Sequence, residues 1–408
     1  MYRVAITGVG LVSTLGRSWS DVSHALRTGI SGVHVDEERR QRGFRSPLTG
    51  IIPSDISQGF LNRKQKKTMP DFAEWAYVAV YDALTQSGLS MADIANEQTG
   101  LIFGCDSSCI AAVEQVERLN DARDTQSIGS GYVFRSMTST ITMNLNTLLG
   151  TKGACWTLSS ACSSGGHAVG QAADLIRLGR QDRVICGGAQ EVNWQSMCSF
   201  DGLGAFSTRV TEPDKASRPF DADRDGLVPS GGAAALILER YESALARGAV
   251  ILGEVIGYGF SSDGLHISVP SGDGLKRAMH AALADGNMSA QEVDYVCAHA
   301  TSTPAGDEAE ANTIHEVFGE HKPYISSTKS LTGHELWMSG ASQVVYSTIM
   351  ANDQFLAANA NFQTPDHASK GLNILTESIA CAPKIILCNS AGFGGTNSCL
   401  LLRYHHAL

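Results

Sequence analysis

The chain has 408 residues, a formal net charge of -10, 43% hydrophobic and 18% charged residues. It is long enough for more than one core, too apolar for a disordered tail, and too acidic for a general nucleic-acid binder, whose footprint is basic. A local basic patch for an acidic partner remains compatible with that balance.

The ten cysteines are scattered with no CxxC pair, so neither a zinc cage nor a dithiol motif is indicated. No apolar run approaches the roughly 18 residues of a membrane helix. "MYRVAITGVGLVS" lacks the basic and apolar regions of a signal peptide. The expectation is a cytoplasmic protein with reduced thiols and no membrane span.

In chain order, short β-branched runs ending in glycine or small polar residues read as strands buried on both faces. They are "RVAITG" (3–8), "GLIFGC" (100–105), "DRVICGGA" (182–189) and "AAALILER" (233–240). The second half adds "GEVIGYG" (253–259), "VDYVCAH" (293–299), "YISSTK" (324–329), "KIILCNS" (384–390) and "NSCLLLR" (397–403). Alanine-rich helical patterns lie between them at 71–88, 165–179 and 274–286. Strands alternating with helices predict an α/β layered architecture. "VICGGAQE" (184–191) echoes "ILCNSAGFGG" (386–395), which points to a duplicated unit with a seam near residue 250. The polar segment 204–230, with three prolines, is too long for an ordinary connection and reads as a structured functional loop.

"TLSSACSSGGHAVG" (157–170) sets Cys162 among small residues directly before a helical run. A thiol attacks as thiolate, and a helix N-terminus lowers its pKa through unpaired N–H groups. Cys162 is thus a candidate nucleophile, although most cysteines in such a chain are small buried hydrophobes. His167 is a poor base for it, because helix positions five apart do not share a face. Better candidates are His299, ending a strand before a threonine-rich turn, and His334 with Lys329 around another strand end. "NSAGFGGTN" (389–397) adds a glycine loop able to aim backbone N–H groups at an oxyanion.

Six ordered motifs, "VAITGVGLVSTLG", "SSACSSG", "ASRPFDADRDGLV", "HATSTPAGD", "TKSLTGH" and "GFGGTN", make the chain resemble the β-ketoacyl-acyl-carrier-protein synthases of the elongating type. The resemblance runs nearly end to end. It implies a thiolase-like, five-layered αβαβα fold from two duplicated halves, 1–250 and 251–408. It also implies decarboxylative condensation of a malonyl thioester with an acyl group on Cys162. His299 and His334 would be the decarboxylating pair, and Lys329 would support the site with Glu310 as its ion-pair partner. Backbone N–H groups of Cys162 and Phe393 would form the oxyanion hole, with Phe393 also the gate. Thr301 and Thr303 would contact the phosphopantetheine arm. No metal or cofactor is implied beyond that arm, carried by acyl carrier protein.

Three departures from the family pattern stand out: "GHELWMSGAS" in place of "GHxLGAAG", "HATST" in place of "HGTST", and Ala391 where a second phenylalanine is common. Ala391 and Trp337 are therefore expected to shape the substrate pocket, with the indole stacking on planar primers. They would suit an aryl-polyene or type II polyketide system, where the chain pairs with a chain-length factor rather than forming a homodimer. Arg63, Lys64 and Lys67 in "NRKQKK" match positions that dock the acidic carrier protein. A cysteine hydrolase or simple acyl transferase would not need the second histidine or the glycine loop. A catalytically silent scaffold subunit would not need Cys162, His299 and His334 together.

Overall fold

The computed structural model describes residues 1–406. Ten strands form the main sheet. Those of the first half are β1 (Val4–Val12), β2 (Thr99–Gly104), β3 (Cys155–Leu158), β4 (Arg183–Gln190) and β5 (Gly232–Arg240). Those of the second are β6 (Gly253–Ser262), β7 (Tyr295–Cys297), β8 (Tyr324–Ser326), β9 (Ile385–Gly392) and β10 (Thr396–Arg403). Their order across the sheet is β8-β7-β9-β10-β6-β1-β5-β4-β2-β3.

Counted outward from the centre, each half runs first, fifth, fourth, second, third. Within each, the two inner pairings are antiparallel and the two outer ones parallel. The halves are therefore a duplication, joined where β1 meets β6 through Ala5 opposite Glu254 and Ile6 opposite Gly253.

The helices of the layers that bear on the site are α1 (Asp71–Ser87), α2 (Cys109–Ala122), α3 (Ser164–Arg177), α4 (Trp194–Leu203), α5 (Asp273–Asp285), α6 (Pro304–Phe318) and α7 (Ser339–Asn352). Helix α1 covers the outer face of β1 and β5, α5 and α6 cover the second half, and α3 packs on α7 between the two sheet halves. This is the five-layered αβαβα arrangement that the resemblance implies.

Hydrophobic burial drives it: every residue of β1 is buried, as are Phe72, Ala76, Ala79, Val80 and Ala83 along one stripe of α1. The central helices approach closely because glycines face each other. A Cβ on Gly340 would sit 2.4 Å from the backbone nitrogen of Gly166.

The one main-sheet strand without a counterpart among the expected runs is β3, four residues whose exposed Cys155 and Trp156 break the apolar pattern. Segment 204–230 contains a single 3-10 turn but is not loose. Asp221 accepts from the N–H groups of Gln363, Thr364 and Asp223 while pairing with Arg218 at 2.9 Å. Pro229 forms a parallel bridge with His334, whose N–H donates to Val228 O at 2.7 Å.

Candidate active site

Cys162 follows the C-terminal end of β3 and sits in a 3-10 turn, Ala161–Ser163, one turn before α3 opens at Ser164. The serines of its motif hold that turn. Ser163 Oγ donates to Ser160 O at 2.6 Å, Ser164 Oγ to Ala161 O at 2.6 Å, and Asp106 takes the Ala161 N–H at 3.1 Å. Ala161 is kept at φ +45°, a conformation that costs a non-glycine residue energy.

Across the central layer, His334 Nε2 lies 3.1 Å from Cys162 Sγ, and Ser339 Oγ lies 3.2 Å from His334 Nδ1. The His299 ring stands 5.4 Å from that of His334, almost perpendicular at 87°. His299 Nδ1 has no hydrogen-bond partner among the described residues. Both imidazoles are held well below the ordinary 6.5, by burial first and then by the Lys329 charge.

The lowering of the Cys162 pKa expected from a helix start is not what the resting site gives. Burial pushes the thiol up to about 12, with Lys329 and its own backbone N–H pulling the other way. His167 stays out of this chemistry: burial holds it near 4, and its Nδ1 meets Tyr258 OH at 2.7 Å.

Lys329 is only 1% exposed, and burial lowers its pKa. Glu310 is not within ion-pair distance of it, contrary to expectation. The carboxylate is occupied by the N–H groups of His299 (2.9 Å) and Ala300 (2.6 Å) and by Asn389 Nδ2 (2.9 Å). Lys329 Nζ donates instead to Gln343 Oε1 at 3.4 Å, while Gln343 Nε2 donates to the carbonyls of Cys297 and Ala298. Glu310 thus fixes the backbone that carries His299, and its field reaches Lys329 without contact.

Neither Gln343 nor Asn389 was legible as a site residue. Glu335 joins them: it is buried beside His334, takes Ser342 Oγ and Tyr346 OH, and is raised to about 7 by burial. The available signal was a polar residue inside an otherwise apolar or small-residue run.

A cavity of about 270 Å³ opens over the cysteine. Its lining includes Cys162, His299, His334, Thr301, Thr303 and Ala391. Thr301 and Thr303 lie side by side, Oγ1 to Oγ1 3.1 Å, above an Asp307 carboxylate that takes the Thr301 N–H. Phe393 stands at the mouth, 38% exposed. The neighbouring Gly392 is packed so tightly that a Cβ would come 3.0 Å from the Cys162 nitrogen.

Trp337 departs from expectation. It does not line the cavity. Its indole is 6% exposed, packs with Cys162, Met197 and Phe206, and donates from Nε1 to Ser107 Oγ at 3.0 Å. Arg63 and Lys64 on a one-turn helix and Lys67 at its C-cap are exposed, while Lys66 is half-buried and pairs with Glu74 at 2.6 Å. Among the described residues those three make no ion pair, no cluster of His, Cys, Asp and Glu is arranged to hold a metal, and no helix is long and apolar enough to cross a membrane.

Five layers, a duplicated sheet and a reactive-residue cluster between the halves define a thiolase-fold enzyme. Comparison with known proteins narrows the class. The model "Beta-ketoacyl synthase, N-terminal domain" matches residues 1–244, and "Beta-ketoacyl synthase, C-terminal domain" matches 252–363. A 3-oxoacyl-acyl-carrier-protein synthase 1 of Haemophilus influenzae is 39% identical over 409 residues, covering 100% of both chains. A β-ketoacyl synthase structure from Burkholderia phymatum superposes with a TM-score of 0.94 at 33% identity, over 100% of both chains. The ishigamide ketosynthase/chain length factor gives 0.93 at 28% identity, over 99% of this chain and 100% of that one.

The chain belongs to the β-ketoacyl synthase family and catalyses the condensation of a β-ketoacyl-acyl-carrier-protein synthase, an acyltransferase reaction. Such enzymes use no cofactor beyond the phosphopantetheine that carries their substrates.

Proposed function

We propose that Cys162 is the acylated nucleophile and that His299 and His334 drive decarboxylation, in the elongation of fatty-acyl chains. The 3.1 Å approach of His334 Nε2 to Cys162 Sγ, with His299 beside it, carries this reading.

In loading, Cys162 sulfur attacks the acyl thioester carbon. The new S–C bond replaces the pantetheine S–C bond, and the Cys162 proton leaves on the pantetheine thiol. If Ser339 donates to His334 Nδ1, Nε2 carries the proton and steadies the developing thiolate. In condensation, both neutral imidazoles donate to the malonyl thioester carbonyl. Carbon dioxide leaves with cleavage of its C–C bond, and the enolate carbon attacks the Cys162 thioester, which releases the sulfur as a thiolate that takes one proton from solvent. The N–H groups of Cys162 and Phe393 hold the oxyanion, consistent with the tight packing of Gly392 on the Cys162 amide. Lys329 and Glu310 set the field around the histidines. Phe393 gates the mouth, and Thr301, Thr303 and Ala391 take the arm and the acyl substrate.

Arg63, Lys64 and Lys67 are proposed to dock the acidic carrier protein. We place the boundary between the halves near residue 250 and the enzyme in the cytoplasm. A dimer is supported by the edge strand β3, with Trp156 38% exposed, and by the exposed apolar side chains of Val116, Val133, Phe134 and Met137. A second reading, pairing with a chain-length factor in polyketide or aryl-polyene assembly, draws support from the ishigamide neighbour. The more similar sequence, a 3-oxoacyl-acyl-carrier-protein synthase 1, favours the fatty-acyl reading.

The test is intact-mass analysis after incubation with acyl-carrier protein, alongside malonyl decarboxylation. One acyl adduct should form and vanish in Cys162→Ala. His299→Ala and His334→Ala should keep the adduct but lose decarboxylation by about 10²–10³, as for removal of a preorganised donor. An adduct surviving Cys162→Ala, or undiminished decarboxylation in either histidine variant, sinks the assignment.

A further inference from the structure

We infer that Trp337 sets an upper limit on the acyl chain that Cys162 can hold. The inference rests on the acylation reading above.

Two different environments meet at the cysteine. One is the open cavity, which runs past Thr301 and Thr303 to the mouth at Phe393. The other is a filled apolar cluster formed by Ala161, Cys162, Met197, Phe206, Leu227 and Leu336 around Trp337. During condensation the cavity must admit the malonyl group and its arm. With the arm and the malonyl group in the cavity, an apolar chain on Sγ is left the cluster side, which begins at Leu227 and Leu336 in the cavity wall. There it meets the indole, the largest side chain present.

The indole is fixed from two sides. Its N–H bonds to Ser107 Oγ, and Ser107 lies 3.3 Å from Glu191 Oε1. Glu191 is in turn fixed by the N–H groups of Cys109 and Ile110 and by Asn193 Nδ2. The Phe200 ring, which lines the cavity, lies 6.2 Å from it. The backbone cannot withdraw either. Cβ atoms built on Gly165 and Gly188 would come 3.0 and 3.2 Å from the Trp337 carbonyl, and Leu336 before it is held at φ +44°. Room for a long chain therefore requires the indole to rotate and give up its bond to Ser107. A small side chain at 337 would instead leave space continuous with Cys162.

The experiment loads the full-length protein with butyryl-, octanoyl- and dodecanoyl-carrier protein and follows Cys162 acylation by intact mass. The wild type should load butyryl faster than dodecanoyl by about tenfold or more, within the range that pocket-size discrimination reaches. Trp337→Ala should raise the dodecanoyl-to-butyryl ratio by about the same factor. Ser107→Ala keeps the ring but frees it, and should raise the ratio less. That variant opens no large hole, so it tests the inference even if Trp337→Ala folds poorly. Equal wild-type loading of all three chains overturns the inference while leaving the acylation reading intact. So does an unchanged ratio in whichever variants load butyryl. Failure of the wild type to load even butyryl overturns both.

Discussion

A thiol raised to about 12 and two imidazoles held well below 6.5 are all neutral near pH 7, so neither the nucleophile nor the two histidines carry charge in the resting site. The consequence for pH dependence has a definite sign. An exposed imidazole protonates as pH falls through 6.5, whereas these two stay neutral and keep the donor role proposed for them in enolate stabilisation. Malonyl decarboxylation should therefore hold level from about pH 8 down through 6.5 and fall only below it. A rate that halves at pH 6.5 in a pH–rate profile would contradict this. The unfolded chain, by contrast, does bind protons at these histidines below 6.5, so they make the fold less stable as pH drops through that value. Residue types in their motifs made Cys162, His299 and His334 legible in the sequence. What each one touches was not. The donors that claim Glu310 converge from positions 299, 300 and 389, and no local spacing announces that they, rather than Lys329, will take its oxygens. Trp337 was noticed as unusual and given the wrong surroundings for the same reason.

At the scale of elements, the sequence was most readable where burial is continuous. β5, with eight of its nine residues buried, could hardly be anything else. β3 escaped notice because an edge strand with an exposed tryptophan carries no such signature. The crossing of α3 and α7 was equally hidden, since it depends on glycines 174 positions apart by number (340 minus 166) that lie in separate halves. It yields a sharp expectation. Gly340→Val forces a side chain against the Gly166 backbone and should lower stability by about 1–3 kcal/mol, the usual range for overpacking. Because α3 begins two residues after Cys162, acyl loading should fall with it. Thermal melting and loading rate, measured together, check both effects. Gly202→Ala, on α4 with open space around it, should leave the melting temperature unchanged or slightly higher.

For the molecule as a whole, the acidic total makes the exposed trio Arg63, Lys64 and Lys67 stand out. Reversing Lys64 and Lys67 to glutamate should weaken carrier-protein binding, and added salt should weaken the wild type in the same direction. Titration calorimetry at two ionic strengths decides it; unchanged affinity would return the segment to a plain solvated surface. The duplication was faintly audible in two glycine-bearing strands but becomes unmistakable only in the sheet, where adding five to a strand's number gives its counterpart. Segment 204–230 acts across that duplication. It belongs to the first half, yet Val228 and Ser230 bracket the backbone of His334, Ser217 Oγ donates to Lys329 O, and the Arg218 N–H reaches Ser302 Oγ. Ala222 and Asp223 at its turn are exposed. A single proteolytic nick between them would spare every strand and helix of the main layers while parting the stretch held on Lys329 and Ser302 from the stretch held on His334. Such a nicked enzyme would still look folded and would no longer be one catalyst.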